Sequence, residues 1–308
     1  MKLVTFETIN RTTYAGVIRG ERVLPLNYPS LLELLQDSQG MTKARHMLES
    51  DEQGLSLHEI KLLTPVPDPP TLRDFYAFEQ HVATARAQRG LGMIPEWYEI
   101  PTFYFSNTSE IYGPDEPVPY PVGCKELDFE LEVACVIGRA GKNIPVTEAA
   151  DYIAGYMIMN DWSARDLQRE EMRLSMGPVK GKDFATSIGP FFVTPDELQP
   201  FRKDQAYDLA MRAFVNGRKY SEASLADIYW SFEEMIAYAS RGTKVKAGDL
   251  IGSGTCGTGC ILELSLVHGE EQYPWLQPGD VVELSVDGLG SFKNRVVAGL
   301  PLRSLRSY

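Results

Sequence analysis

Glu130 and Glu132 stand two residues apart at the front of an apolar run, LDFELEVACVIG over 127–138. The run reads as a strand. Strand side chains alternate faces, so the two glutamates point one way while Phe129, Leu131 and Val133 point the other. Like charges sharing a half-buried face repel one another unless water reaches them or a cation neutralises them. Two readings follow: a solvated edge strand, or one half of a site for a hard divalent cation. Asp161 lies where the apolar segment 153–159 gives way to the polar NDWSARDLQ of 160–168, and Asp74 opens the segment that carries His81. Four carboxylates would suit Mg2+, Mn2+ or Ca2+ better than zinc, which prefers nitrogen and sulfur. Singly, each acid also reads as a solvated or capping residue.

Of the four histidines, His46, His58, His81 and His268, only His81 shares its segment with an acid and an aromatic apolar face. The spacing of Phe75, Phe78, Val82 and Ala85 predicts a helix over 74–86, ended by Gly90 and Gly92. A continuous helix would set Asp74 and His81 about 10 Å apart along its axis, one to hold a metal and the other to move a proton; an exposed histidine without a role is the other reading. Arg165, Gln168 and Lys182 could bind an oxyanion or carboxylate, or form surface ion pairs. GSGTCG at 252–257 fits the GxGxxG dinucleotide fingerprint, but 260–264 reads as a strand. Without a helix N-terminus to hold a pyrophosphate, that fingerprint is rejected. A glycine loop there could still bring backbone amides to a ligand carboxylate. Around Gly181 and Lys182 the upstream glycine of a phosphate loop is missing.

Short apolar pieces and turns over 3–25 predict a β-meander, followed by a helix opened by the capping box of Ser30 and Glu33 and a second helix over 42–48. The prolines of TPVPDPP (64–70) exclude helix and central strand. They set an expected boundary between a small N-terminal domain, 1–66, and a catalytic domain, 67–308. The stretch 92–122 reads as a long functional loop with one aromatic strand piece. Further strands are expected over 153–159, 190–193, 209–217 and 281–286. Short helices are expected near 147–150 and after Ser231, where Glu234 completes a capping box and Gly242 is the stop. The class is α+β, mostly β.

The chain has 308 residues, is 44% hydrophobic and carries a formal charge of −12. It can bury a large core, and its field repels phosphate, against nucleic acid or an anionic membrane as partner. An anionic small substrate would need local cations or a metal. No apolar run of about 18 residues and no signal-like N-terminal block is present, so a cytoplasmic setting is expected. Cys124, Cys135, Cys256 and Cys260 read as free thiols.

The ordered set DFYxxxxH (74–81), LDxELE (127–132), MNDWSARDLQ (159–168), GK (181–182), SGT (253–255), LEL (262–264) and the close near 287–296 resembles the fumarylacetoacetate hydrolase family from about Pro70 onward. The resemblance implies a mixed β-roll catalytic domain behind a small N-terminal domain, a homodimer and a Mg2+ or Ca2+ site. It implies Asp74, Glu130, Glu132 and Asp161 as metal ligands and His81 as the base that activates water, oriented by Glu263. Arg165, Gln168 and Lys182 would stabilise the leaving carbanion or oxyanion, and Tyr76, Tyr104 and Thr255 would contact substrate. Arg86 is the candidate for the family's carboxylate-binding arginine, although Arg86 and Arg89 are both offset from its position. A tyrosine expected after Gln168 is replaced near Met172. Some branches carry a glutamate three residues after the histidine; Thr84 stands there, which favours the His81–Glu263 pairing. The implied activity is metal-dependent hydrolysis of C–C bonds in small anionic β-diketo acids. The alternatives are an oxaloacetate-type decarboxylase or enol–keto isomerase on the same site, or an inactive metal-binding relative.

Overall fold

The computed structural model describes residues 1–87 and 90–304, which leaves Arg89 outside the described residues. A 12-stranded sheet dominates. Along its main path the strands Leu55–Ser56, Arg22–Pro25, Thr13–Arg19, Lys2–Thr8, Thr186–Val193, Ile153–Asp161, Leu131–Ile137, Leu250–Gly252, Leu72–Phe75 and Phe103–Ser106 follow one another. A second sheet of five strands runs Arg218–Ser224, Ala210–Val215, Val281–Val286, Gly290–Val297 and Val118–Pro119. The α+β, mostly β expectation stands.

The glutamate strand Leu131–Ile137 is central, antiparallel to both Ile153–Asp161 and Leu250–Gly252, and every one of its residues is buried. The solvated edge-strand reading is therefore removed. Its odd-numbered residues Leu131, Val133, Cys135 and Ile137 enter the main apolar core, while Ala134 and Val136 enter a second cluster with Met157, Met159, Leu72 and Leu250. Period-two alternation then fixes where the acids go. Glu132 continues the row of Ala134 and Val136, Asp161 that of Met157 and Met159, and Asp74 that of Leu72. One apolar sheet face thus ends in a row of carboxylates.

Two expectations about local structure are corrected. Asp74 is not on the His81 helix: it sits in the strand Leu72–Phe75, and the helix is Glu79–Ala87. Pairing of Asp74 with Gly252 and Tyr104 within the sheet outweighs the helical spacing of its apolar neighbours. The segment at 260–264 is not a strand but the start of a helix, Ile261–His268. Within the loop stretch 92–122 the expected aromatic strand piece is Phe103–Ser106, joined by a short 3-10 helix at Pro95–Tyr98 and the strands Ile111–Tyr112 and Val118–Pro119. The helices after Ser30 and Ser231 form with their serine caps. The cysteines are free, Cys124 half-buried and the others buried.

Candidate active site

Asp74, Glu132 and Asp161 bring one carboxylate oxygen each to within 4.8 Å of one another, all three side chains buried. Asp161 directs Oδ2 to Tyr104 and, at 2.5 Å, to Lys182; Asp74 accepts from the Tyr104 hydroxyl at 3.1 Å through its Oδ2. Their Oδ1 atoms are buried without a hydrogen-bond partner. Glu132 accepts from the Gly254 amide at 3.1 Å and from the Thr255 hydroxyl at 3.4 Å. Glu130 lies beside this triad but is held by cations, Arg165 on Oε1 at 2.7 Å and Lys182 on Oε2.

Burial and then the neighbouring charge of Asp161 push the Asp74 carboxyl up to about 8. Burial, with Asp74 and Glu130 close by, raises Glu132 well above the carboxylate range. Burial raises Asp161 as well, though Lys182 opposes it. Burial would also raise Glu130, but Arg165 and Lys182 outweigh it and the net shift is downward. A low-dielectric pocket therefore crowds three acids that resist ionising together. Two orphaned oxygens and an all-oxygen donor set fit a divalent cation of the Mg2+, Mn2+ or Ca2+ kind, which would relieve that crowding.

Gly252 makes the convergence possible. It pairs with Asp74 across the sheet, and a Cβ at this position would lie 2.4 Å from Asp74 Oδ1 and 2.5 Å from Met159 Cε. Any larger residue would push the aspartate out of place. No motif containing Gly252 pointed to this role; the reason is cross-strand and invisible along the chain.

His81 is the one buried histidine among the described residues. Its Nδ1 meets Glu263 Oε1 at 2.5 Å, which leaves Nε2 clear of the glutamate. Glu263 is itself held by the Thr258 amide on Oε2 at 3.1 Å and touched by Cys260 Sγ at 3.8 Å. The Tyr76 ring stands edge-on to the imidazole with centroids 5.5 Å apart. His81 also lies near enough to Glu130 to help lower its pKa.

Asp128, quoted in the motif but given no role, organises the far side of the site. It takes Arg165 Nε at 2.8 Å and caps the helix Ile261–His268 by accepting the amides of Ile261 at 2.7 Å and Leu262 at 3.0 Å. The helix N-terminus whose supposed absence excluded a dinucleotide exists, but a protein carboxylate already occupies it. The dinucleotide reading stays rejected on this different ground. Alternation of Asp128, Glu130 and Glu132 along one strand was the available signal. Gln168 contacts Arg165 (3.2 Å) and not the triad. Arg86 turns away: its Nε donates to the Gly92 carbonyl at 2.7 Å, and among the described residues it has no hydrogen bond to the carboxylates.

Residues 71–297 match the sequence profile described as fumarylacetoacetate hydrolase, C-terminal. The chain is 29% identical to a rice fumarylacetoacetase over 83% of its own length and 77% of the relative's. It is 29% identical to a mitochondrial oxaloacetate tautomerase of Xenopus laevis over 89% and 79%. Against mammalian fumarylacetoacetases it spans 58% of their length. A Sphingobium maleylpyruvate hydrolase, solved with manganese(II) and pyruvate, superposes with a TM-score of 0.72 at 23% identity, covering 97% of this chain and 100% of that one. Among the described residues no helix is long and apolar enough to cross a membrane.

Proposed function

The chain belongs to the fumarylacetoacetate hydrolase family, and from that premise we propose that it is a divalent-metal-dependent hydrolase cleaving C–C bonds of small β-diketo acids, acylpyruvate-like or fumarylacetoacetate-like. The observation that carries this reading is the buried His81–Glu263 pair beside the carboxylate triad, because hydrolysis needs a base that activates an attacking water, and neither decarboxylation nor tautomerisation has an attacking water. Asp74, Glu132 and Asp161 would hold the cation, with Glu130 at their side. A divalent ion held there would supply Lewis-acid polarisation of substrate oxygens and stabilisation of the negative charge that develops as the bond breaks.

The protein's own groups divide the remaining work. Glu263 fixes the His81 tautomer with the proton on Nδ1, so Nε2 accepts a proton from water, and the carboxylate then stabilises the imidazolium. Lys182 and Arg165, each tied to Glu130, place positive charge where oxyanion or carbanion character develops. Magnesium, manganese or calcium as the ion belongs to the same proposal, supported by the oxygen-only donor set, as do a homodimeric assembly and a cytoplasmic setting. A second reading, enol–keto isomerisation of an oxaloacetate-type substrate, is favoured by the likeness to the Xenopus tautomerase.

The test is turnover of acylpyruvates, fumarylpyruvate, fumarylacetoacetate and oxaloacetate with Mg2+ or Mn2+, with products identified, on the wild type and His81→Ala. Hydrolysis that falls about 10²- to 10⁴-fold in His81→Ala is expected. Tautomerisation or decarboxylation of oxaloacetate with no hydrolysis in the wild type, whatever the effect of His81→Ala on it, would replace the hydrolase reading.

A further inference from the structure

A cavity of about 900 Å³ opens beside the carboxylates, with Tyr104 and Lys182 lining it and also contacting Asp161. Phe105, Met172, Met176, Pro178 and Val179 form an apolar stretch of its wall, alongside the neutral polar side chains of Ser106, Asn107 and Ser175. Phe105, Met172, Met176 and Val179 are 62%, 50%, 82% and 46% exposed, so four large apolar side chains face water around one mouth. Apolar groups gathered like this mark a surface that something apolar covers.

The wall is held in place. Glu171 accepts the backbone amides of Val179, Lys180 and Gly181 at 2.9, 2.6 and 3.1 Å, which pins the neck of the 172–179 loop. Its electrostatics are equally defined. Lys182 is the one cation among the described lining residues, and Glu130 and Asp161 both engage it. Asp183, the other charged lining residue, is paired with Lys180. A second carboxylate on the substrate would enter this space with only the neutral donors of Ser106, Asn107 and Ser175 and no free cation to meet it, and would lie near an acid.

We propose that this cavity takes the distal arm of the substrate and selects an uncharged, apolar acyl chain over one that ends in a carboxylate. The assignment rests on the proposed reading only in placing the 2-oxo-acid end of the substrate at the carboxylate triad. The substrate class is then an acylpyruvate with an alkyl or aryl acyl group, and not a fumaryl- or maleyl-bearing compound.

Binding separates this claim from the hydrolase claim. The Mg2+-loaded protein is titrated calorimetrically with pyruvate, 2-oxooctanoate and 2-oxooctanedioate, which share the chelating end and differ only in the tail. We expect 2-oxooctanoate to bind at least about 10-fold more tightly than either of the others. The double variant Met176→Ser, Val179→Ser, altered at exposed positions, should bring 2-oxooctanoate to within about two-fold of pyruvate and leave pyruvate binding unchanged. In turnover, hexanoylpyruvate should exceed both acetylpyruvate and fumarylpyruvate in kcat/KM. Equal or tighter binding of the dicarboxylate, or no gain from the alkyl tail, overturns the assignment whatever the turnover shows. A tail preference that survives the double variant overturns this cavity as its source. A tail preference in a protein that hydrolyses none of the panel leaves the cavity assigned and removes the hydrolase reading. Failure of all three 2-oxo acids to bind removes both.

Discussion

Asp74 and Glu130 carry shifts of opposite sign within one pocket, and the signs set how stability follows pH. Burial and Asp161 raise Asp74 to about 8, above its ordinary unfolded value of about 3.9. The folded state thus holds that proton more tightly, and the resulting stability is complete below pH ~4 and lost as pH climbs through 8. Glu130 is depressed by Arg165 and Lys182 against its own burial. Its contribution is present above the unfolded value of about 4.3 and lost as pH falls. Metal-free protein should therefore melt at its highest temperature in the mildly acidic range and lose stability between pH 6 and 8.5. A cation must displace the protons on the triad, so its stabilisation grows over the same interval. At a hundred times Kd, linkage supplies about 2.7 kcal/mol, or roughly a 5 °C rise in Tm. Differential scanning calorimetry with and without Mg2+ at pH 6 and 8.5 checks this. A metal-free Tm that rises from pH 6 to 8.5, or an equal Mg2+ shift at both, would contradict it.

Each carboxylate of the triad owes its position to a neighbouring strand, and Gly252 is where those strands allow the acids to meet. A methyl group there, 2.4 Å from Asp74 Oδ1, has no room unless the carboxylate moves. Gly252→Ala should keep the fold, since its backbone needs no left-handed conformation, but weaken Mg2+ or Mn2+ binding about 10- to 100-fold, the usual loss when support behind a metal ligand is removed. Isothermal titration of the folded variant decides it, and wild-type affinity would show that the glycine has no such role. The strand origin of the site also explains what could be read in advance. Alternation in LDFELEV placed Glu130 and Glu132 on one face, and the change from apolar to polar after Met159 placed Asp161 at a strand's end. Both are local signals. The helix Ile261–His268 was not legible, because ILELSLV alternates like a buried strand and leaves Leu266 and Val267 exposed as a helix. What makes it helical is remote: Asp128, 133 residues earlier, accepts its first free amide. Asp74 was misplaced for a similar reason, since its strand is fixed by partners at Gly252 and Tyr104 far along the chain. The apolar wall of the cavity carried no pattern that distinguished it from scattered surface residues.

At the scale of the molecule, the large sheet does not stop at the proline-rich segment 64–70. The strand Lys2–Thr8 is hydrogen-bonded to Thr186–Val193, with Leu3 opposite Phe192, and Thr186–Val193 is bonded in turn to the strand that ends in Asp161. Leu3, Val17, Leu24, Leu31 and Leu34 join Met157, Met159, Ile188 and Leu250 in the cluster whose face ends in the carboxylates. The N-terminal amine reinforces the junction, paired with Glu197 at 3.0 Å and Asp196 at 3.4 Å. Residues 1–66 thus cover both the edge and the apolar face on which the site is built. Removing them would leave an unpaired strand edge and a broad apolar surface, the two features that favour association between chains. Residues 67–308 expressed alone should be aggregated or lack a cooperative thermal transition, and should lose Mg2+ binding even though they retain every carboxylate of the triad. Light scattering, calorimetry and metal titration of that fragment test the dependence. A monodisperse fragment with wild-type metal affinity would show instead that the proline-rich segment separates two units that fold on their own.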